Sequence, residues 1–323
     1  MSLKALFLVV NTWASASRFT AEEQCLHAYQ RVGVRRSLLA DPSGTLGRRL
    51  RGRWTGDHRS DSLQRAHREG LFRVTDRFDA GAQLGEEEML WSREYGEDGS
   101  FNFWSLGRPK VEIQKLAAEL QEAAGENDGL TAVVLGCGLG LDVSYLAREA
   151  CKSTSSTMTA VAGVDFALPA IQEARRQHSS AGCFFHHADV CELPAPTVPL
   201  DLVVDNTVFQ NTYRSGRFEE YLDTLSRIST PGHTMLHLNL MSREGIEARE
   251  EFDESMEYLN LPLLCRSDIC AALKPEIWEI WQIREGHYDL NPEGAGFECE
   301  AFHTFGGNSS PGIPSWCVVA ARI

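Results

Sequence analysis

The chain has 323 residues, 43% of them hydrophobic, which is enough for one large buried core with a further segment attached. Its 31 Lys and Arg face 45 Asp and Glu for a net charge of −14, a balance that repels nucleic-acid phosphates and argues against a polynucleotide substrate. No run approaches the roughly 18 apolar residues that span a bilayer, and the nine cysteines are scattered without a CxxC pair, so neither a zinc site nor a disulfide framework is indicated.

Charge divides the chain. Residues 1–85 hold 14 Lys and Arg against 8 Asp and Glu, whereas the rest holds 17 against 37. Lys4 precedes a short apolar run, Ala5 to Val10, and Ala14-Ser15-Ala16 resembles a small-residue cleavage site. Arg and Ser then dominate up to about Arg77, the composition of a presequence, signal plus transit peptide. The shortness of the apolar run and the pair Glu22 and Glu23 favour the other reading, a basic N-terminal extension packed on the body with Leu6 to Val10 as a strand. Both stay open. The protein is cytoplasmic if the extension is retained and organellar, plastid-like, if residues 1 to about 75 are removed. The expected division is an extension over 1–85 and a catalytic domain over 86–323.

Order begins near Trp91. Ile113, Leu116, Ala117 and Leu120 form the stripe of an amphipathic helix, which ends in the turn GENDG at 125–129. A first buried strand, Val133 to Leu135, runs into Gly136, Gly138 and Gly140, and helical periodicity resumes at Val143, Leu146 and Ala147. A second strand, Ala160 to Val164, closes on Asp165, and a helix starts near Pro169. Further strands are expected at Cys183 to Phe185 and Leu200 to Val204. Phe218, Tyr221, Leu222 and Leu225 make another helical stripe before the strand Thr234 to Leu240. Ser267 is placed to cap a short helix, and the strands 277–283 and 316–323 close the chain. Strands alternating with helices predict an α/β fold: a Rossmann-like, seven-stranded, mostly parallel sheet flanked by helices, with an antiparallel C-terminal edge hairpin.

The glycine loop and Asp165 carry the chemistry. Glycines at a strand-to-helix junction let the backbone turn sharply and approach a ligand. A carboxylate ending the next strand accepts two hydrogen bonds from a ribose diol, with Phe166 beside it. The dinucleotide version of the motif needs a further glycine where Leu141 stands. The spacing GxGxG therefore suits a nucleoside without pyrophosphate, and S-adenosylmethionine (SAM) is the expected cofactor. Asp142 is placed either to hold the ligand's ammonium group or to serve as a helix-start carboxylate. Asp189 is expected at the adenine amino group, with the Val190 backbone along the ring. His186 and His187 point to opposite strand faces and cannot share a metal, and no metal is expected.

Asp205 ends the fourth strand, with Asn206, Thr207 and Phe209 after it. Ligands of open α/β sheets bind beyond the carboxyl ends of the strands. Asp205 is therefore either a polar group near the transferred methyl or a helix-capping aspartate. Trp91, Phe103 and Trp104 offer aromatic faces that attract a sulfonium, or else pack the N-terminal segment onto the body.

The stretch VVLGCGLGLDVSYLA resembles the nucleotide loop of the thiopurine and halide/thiol methyltransferase family, which also places Cys between the first glycines and Asp after the third. LWSREYGEDGSFNFWSLGRP is similar to that family's N-terminal signature, with Trp91, Tyr95, Trp104, Gly107 and Pro109 in the signature positions, and LDLVVDNTVFQNT to its fourth strand and loop. The resemblance covers about residues 89–323 and is loose over 240–310. It implies in-line transfer of a methyl group from SAM to a small-molecule acceptor at sulfur or another soft nucleophile such as halide, with Tyr95 and Asp205 to suspect where a proton must leave. A protein-lysine methyltransferase and a non-catalytic SAM-binding protein are the alternatives. Oligomeric state is left open.

Overall fold

The computed structural model describes residues 59–74, 86–96, 104–123, 129–150, 159–179, 182–249, 262–291 and 311–323. In chain order the elements are α1 (Arg59–Glu69), α2 (Glu86–Glu94), α3 (Val111–Ala123), β1 (Leu130–Leu135), α4 (Leu141–Glu149), β2 (Thr159–Asp165), α5 (Leu168–His178) and β3 (Cys183–His187). There follow β4 (Leu202–Asn206), α6 (Val208–Arg214), α7 (Phe218–Ile228), β5 (Met235–Met241), α8 (Arg243–Glu247), α9 (Arg266–Ala272), β6 (Trp278–Asp289) and β7 (Gly312–Arg322). The expected strands and major helices are present with shifted ends. The N-cap of α9 is Cys265, whose backbone N–H donates to Asp268, so Ser267 lies inside the helix it was expected to cap.

The sheet order is β3-β2-β1-β4-β5-β7-β6. β1 to β5 pair in parallel, and β7 runs antiparallel between β5 and β6. The C-terminal pair is thus antiparallel as expected, with β6 as the outer strand. Helices cover both faces, which is why β1, β2, β4 and β5 are continuously buried, and why β1 and β2 read as apolar runs rather than alternating ones. One face packs against α1, α7 and α9 through Leu63, Tyr221, Leu225 and Ile269. The other packs against α3, α4 and α5 through Ile113, Leu116, Leu146 and Ile171.

One feature departs from the sequence reading. β6 continues six residues past Ile283, because Arg284–Asp289 pair with the start of β7. Arg284, Glu285 and Gly286 hide that extension from a pattern-based reading. Residues 59–74 pack on the body. Leu63, Ala66, Leu71 and Phe72 are buried in the core, His67 Nε2 lies 2.9 Å from the Thr159 carbonyl oxygen, and Thr197 N–H donates to the Leu71 carbonyl at 2.9 Å. The leader and transit-peptide reading, so far as it concerns residues 1–58, lies outside the described residues.

Truncation of a buried aromatic leaves a cavity as well as losing transfer energy, so Phe72→Ala should destabilise the protein by about 3–5 kcal/mol in urea unfolding followed by circular dichroism. A loss below about 1 kcal/mol would show that residues 59–74 only touch the body from outside.

Candidate functional site

Strand order reverses between β1 and β4, so the connections leaving their carboxyl ends diverge and open a crevice there. A cavity occupies that place. Trp91, Tyr95, Trp104, Gly136, Gly138, Asp142, Asp165, Phe166, Asp189 and Val190 all line it, and Gly140 and Asp205 do not. Phe103 lies outside the described residues, and Phe209, which follows β4, is buried in the core.

Gly136 and Gly138 adopt φ of 61° and 51°, where a side chain is strained. A Cβ at Gly136 would strike Val208, and one at Gly138 would lie 2.5 Å from the Tyr95 hydroxyl oxygen. The loop is thus held between the β4–α6 turn and α2. Gly140 has another job: a Cβ there would meet Phe185 at 2.6 Å and Ala174 at 2.9 Å, so it permits close packing of α4 on β3 and α5. That is the packing role the dinucleotide motif gives to the glycine one place later. Cys137 is buried, and its burial beside Asp165 pushes the thiol well above its usual range.

The aspartates of the rim are tied to backbone amides. Asp165 accepts from Gly138 N–H and Ala167 N–H, each at 2.9 Å, which fixes the turn after β2 to the glycine loop. Burial raises its pKa, opposed by these two amides. His187 supports the same turn, its Nε2 lying 3.0 Å from the Phe166 carbonyl oxygen and 3.5 Å from the Glu88 carboxylate. Asp142 accepts from Lys110 N–H at 2.9 Å and from the Asn206 amide at 3.0 Å. It therefore caps α3, a distant helix, as well as lying in the first turn of α4. Asp189, expected at the adenine amino group, accepts from Cys191 N–H at 2.8 Å and pairs with the Arg217 guanidinium.

Several wall residues were not anticipated. Lys110, Tyr288, Asp289 and Arg217 also line the cavity. Lys110 Nζ lies 3.2 Å from the Trp104 carbonyl oxygen, 3.4 Å from the Asp289 carbonyl oxygen and 4.3 Å from the centre of the Tyr288 ring. Burial alone would lower its pKa, but Tyr288 and the Asp142 and Asp289 carboxylates outweigh it, and the ammonium stays charged. Asp289 Oδ2 accepts from Val111 N–H at 2.6 Å. No motif marks these residues; a lone Lys after Pro109 was the available signal. The rings of Trp91 and Trp104 are 5.6 Å apart at 54°, a tilted aromatic pair on the cavity wall. Among the described residues, no group of three His, Cys, Asp or Glu could hold a metal ion.

Asp205 is the clear correction. It is fully buried, accepts from Val208 N–H at 2.8 Å and Phe209 N–H at 2.9 Å, and accepts a third bond from the Tyr221 hydroxyl. The helix-capping role won because the first amides of α6 have no other partners. Burial lifts the Asp205 pKa to about 6 despite those bonds. The folded state then holds the proton more tightly than the unfolded chain, so this group's stabilisation is complete below about pH 4 and is lost as pH rises to about 6. The stability of the wild type minus that of Asp205→Asn, from urea unfolding, should fall by on the order of 1–3 kcal/mol across that window. A rise there would show instead that the ionised form is favoured.

Residues 132–232 match the model of a family described as a methyltransferase domain. No curated protein matches the chain. Among solved structures, one described under conversion of a disulfide bond into a thioacetal group during echinomycin biosynthesis is 20% identical, with a TM-score of 0.52 over 74% of this chain and 93% of the other. A SAM-dependent methyltransferase from Anabaena variabilis is 13% identical, with a TM-score of 0.51 over 78% of this chain and 99% of the other. These two likenesses concern the fold, and the domain match spans the glycine loop, Asp165, Asp189 and the β4–α6 turn. Residues 132–232 thus match a methyltransferase domain, and the described chain folds as a Rossmann-like, seven-stranded sheet.

Proposed function

We propose that the chain moves the methyl group of SAM to a small-molecule acceptor at sulfur or another soft nucleophile. The observation that carries the acceptor class is the state of the histidine-free cavity wall, whose thiols, lysine and three of whose carboxylates are held by burial, charge or backbone amides. No histidine is among the lining residues, and burial pushes the two lining thiols, Cys137 and Cys191, upward, Cys191 to about 12. Lys110 remains an ammonium, and Asp142, Asp165 and Asp189 are engaged with backbone amides. Such a wall suits an acceptor that reacts as a soft anion, a thiolate or halide.

The residues present fit SAM. Asn206 Oδ1 is buried beside the cavity without a hydrogen-bond partner and offers an acceptor to an ammonium group, next to the Asp142 carboxylate. Asp165 keeps lone pairs for a diol beyond those its two amides use. The Val190 side of the wall offers apolar surface to a base, and the Trp91 and Trp104 faces attract positive charge and exclude water. SAM supplies a methyl group already activated on a positively charged sulfur, and its displacement by the acceptor leaves S-adenosylhomocysteine (SAH). The chain's own contribution is to hold donor and acceptor in line and to keep the reacting atoms dry, which supplies most of the acceleration in such reactions.

Incubating the protein with SAM and a panel of thiols, iodide and lysine-containing peptides, and measuring SAH release, should give turnover with thiols or iodide. Turnover confined to the peptides would overturn the acceptor class. In calorimetry, Asp165→Ala should weaken SAH by about 1–3 kcal/mol; tight NADH binding with none for SAH would sink the cofactor reading.

Trp104→Ala should weaken SAM more than SAH, because only SAM presents positive sulfur, by on the order of 0.5–2 kcal/mol, and Trp104→Phe should recover much of it. Equal losses for both ligands would make Trp104 a packing residue.

A further inference from the structure

Among the described residues, Thr207 is the one non-glycine with positive φ, at 78° with ψ of 0°. A β-branched side chain is a genuine outlier there, because its second γ atom crowds the backbone. Such a conformation persists only when its surroundings impose it, and it clusters where function needs a fixed placement. Here the surroundings are plain. Asp205 grips the amides of Val208 and Phe209 on one side, and the Thr207 carbonyl accepts from Asn211 N–H and from the Asn211 side-chain amide, each at 3.0 Å, on the other.

The strained turn places the Thr207 side chain, buried to 4% exposure, at the edge of the cavity. Its hydroxyl donates to the Asn206 carbonyl, so the contact of 3.3 Å with the Tyr288 hydroxyl is one in which Tyr288 donates. One residue thereby joins the turn after β4 to the far end of β6. Val208 beside it presses against Gly136, so the same turn also backs the glycine loop. A glycine would adopt this backbone without strain, yet the position holds threonine. What threonine adds over glycine there is the hydroxyl contact with Tyr288.

We propose that Thr207 is a positioning residue for methyl transfer, its hydroxyl bridging the β4 turn to Tyr288 so that the crevice wall beside the reacting group is rigid. This rests on the SAM reading above. The strain is borne by the turn, and the bridge fixes where that wall stands. Thr207 itself need not touch the acceptor.

The test uses [methyl-¹³C]SAM bound to the full-length protein, read by the carbon chemical shift of the methyl group, with thermal melting alongside. Thr207→Gly should move the methyl resonance while leaving Tm close to or above the wild-type value, because relief of strain offsets the lost contacts. Tyr288→Phe should move the resonance as well, and Thr207→Ser, which keeps the hydroxyl, should leave it in place. With a thiol that turns over, Thr207→Gly should lower kcat by about tenfold or more while KM for SAM changes little.

An unmoved resonance in Thr207→Gly overturns the proposal, as does a Thr207→Ser spectrum that follows Thr207→Gly. A wild type that shows no bound SAM resonance defeats the SAM reading itself, which is a different result from a bound resonance indifferent to Thr207.

Discussion

Buried aspartates bonded to backbone amides hold the carboxyl rim of the sheet together. Asp142, Asp165, Asp189, Asp205 and Asp289 are all buried, and each accepts at least one main-chain N–H from a turn or helix start. A buried carboxylate without donors would be very unfavourable, and the opening amides of a helix lack internal partners. Joining the two satisfies both, through bonds stronger than those between neutral groups. Three of the joins cross long stretches of chain: Asp165 to Gly138, Asp142 to Lys110 and Asp289 to Val111. The cavity wall is thus stitched from segments far apart in sequence.

The stitching explains how a site of this kind stays open at the sheet's switch point. The glycine loop cannot relax toward α2 or the β4–α6 turn, since Tyr95 and Val208 already fill the space a side chain would take. The N-terminus of α3 is drawn onto the rim by Asp142 and Asp289, which carries Lys110 into the wall. From there the Lys110 ammonium reaches the carbonyl that follows the Trp104 ring, so aromatic surface and charged floor are mechanically linked.

The same economy bears on catalysis. Carboxylates occupied by amides, thiols kept protonated by burial and a lysine kept charged leave a wall that orients more than it exchanges protons. Methyl transfer from a sulfonium asks for little else, because the donor is already activated and water is the main competitor. The antiparallel insertion of β7 matters here too, since it sets the register that brings Tyr288 and Asp289 at the end of β6 to the crevice.

Much of this architecture was legible from residue pattern alone. Continuous apolar runs mark strands covered on both faces, stripes of helical period mark their covers, and alternating glycines followed by an acidic strand end mark the rim of the cavity. These are local signals, written within one or two elements, and they located β1, β2, the glycine loop and Asp165. What the sequence could not settle was the partner of each rim residue. An aspartate after a strand reads the same whether it faces a ligand or caps the next helix, and only packing showed that Asp205 turns to α6 and Tyr221 while Asp165 also borders the cavity. Gly140 likewise looked like a ligand glycine until Phe185 and Ala174 were seen against it. Lys110, Tyr288 and Thr207 meet from three separate regions of the chain, and their roles come from distances and a backbone angle that exist only after those regions are folded together.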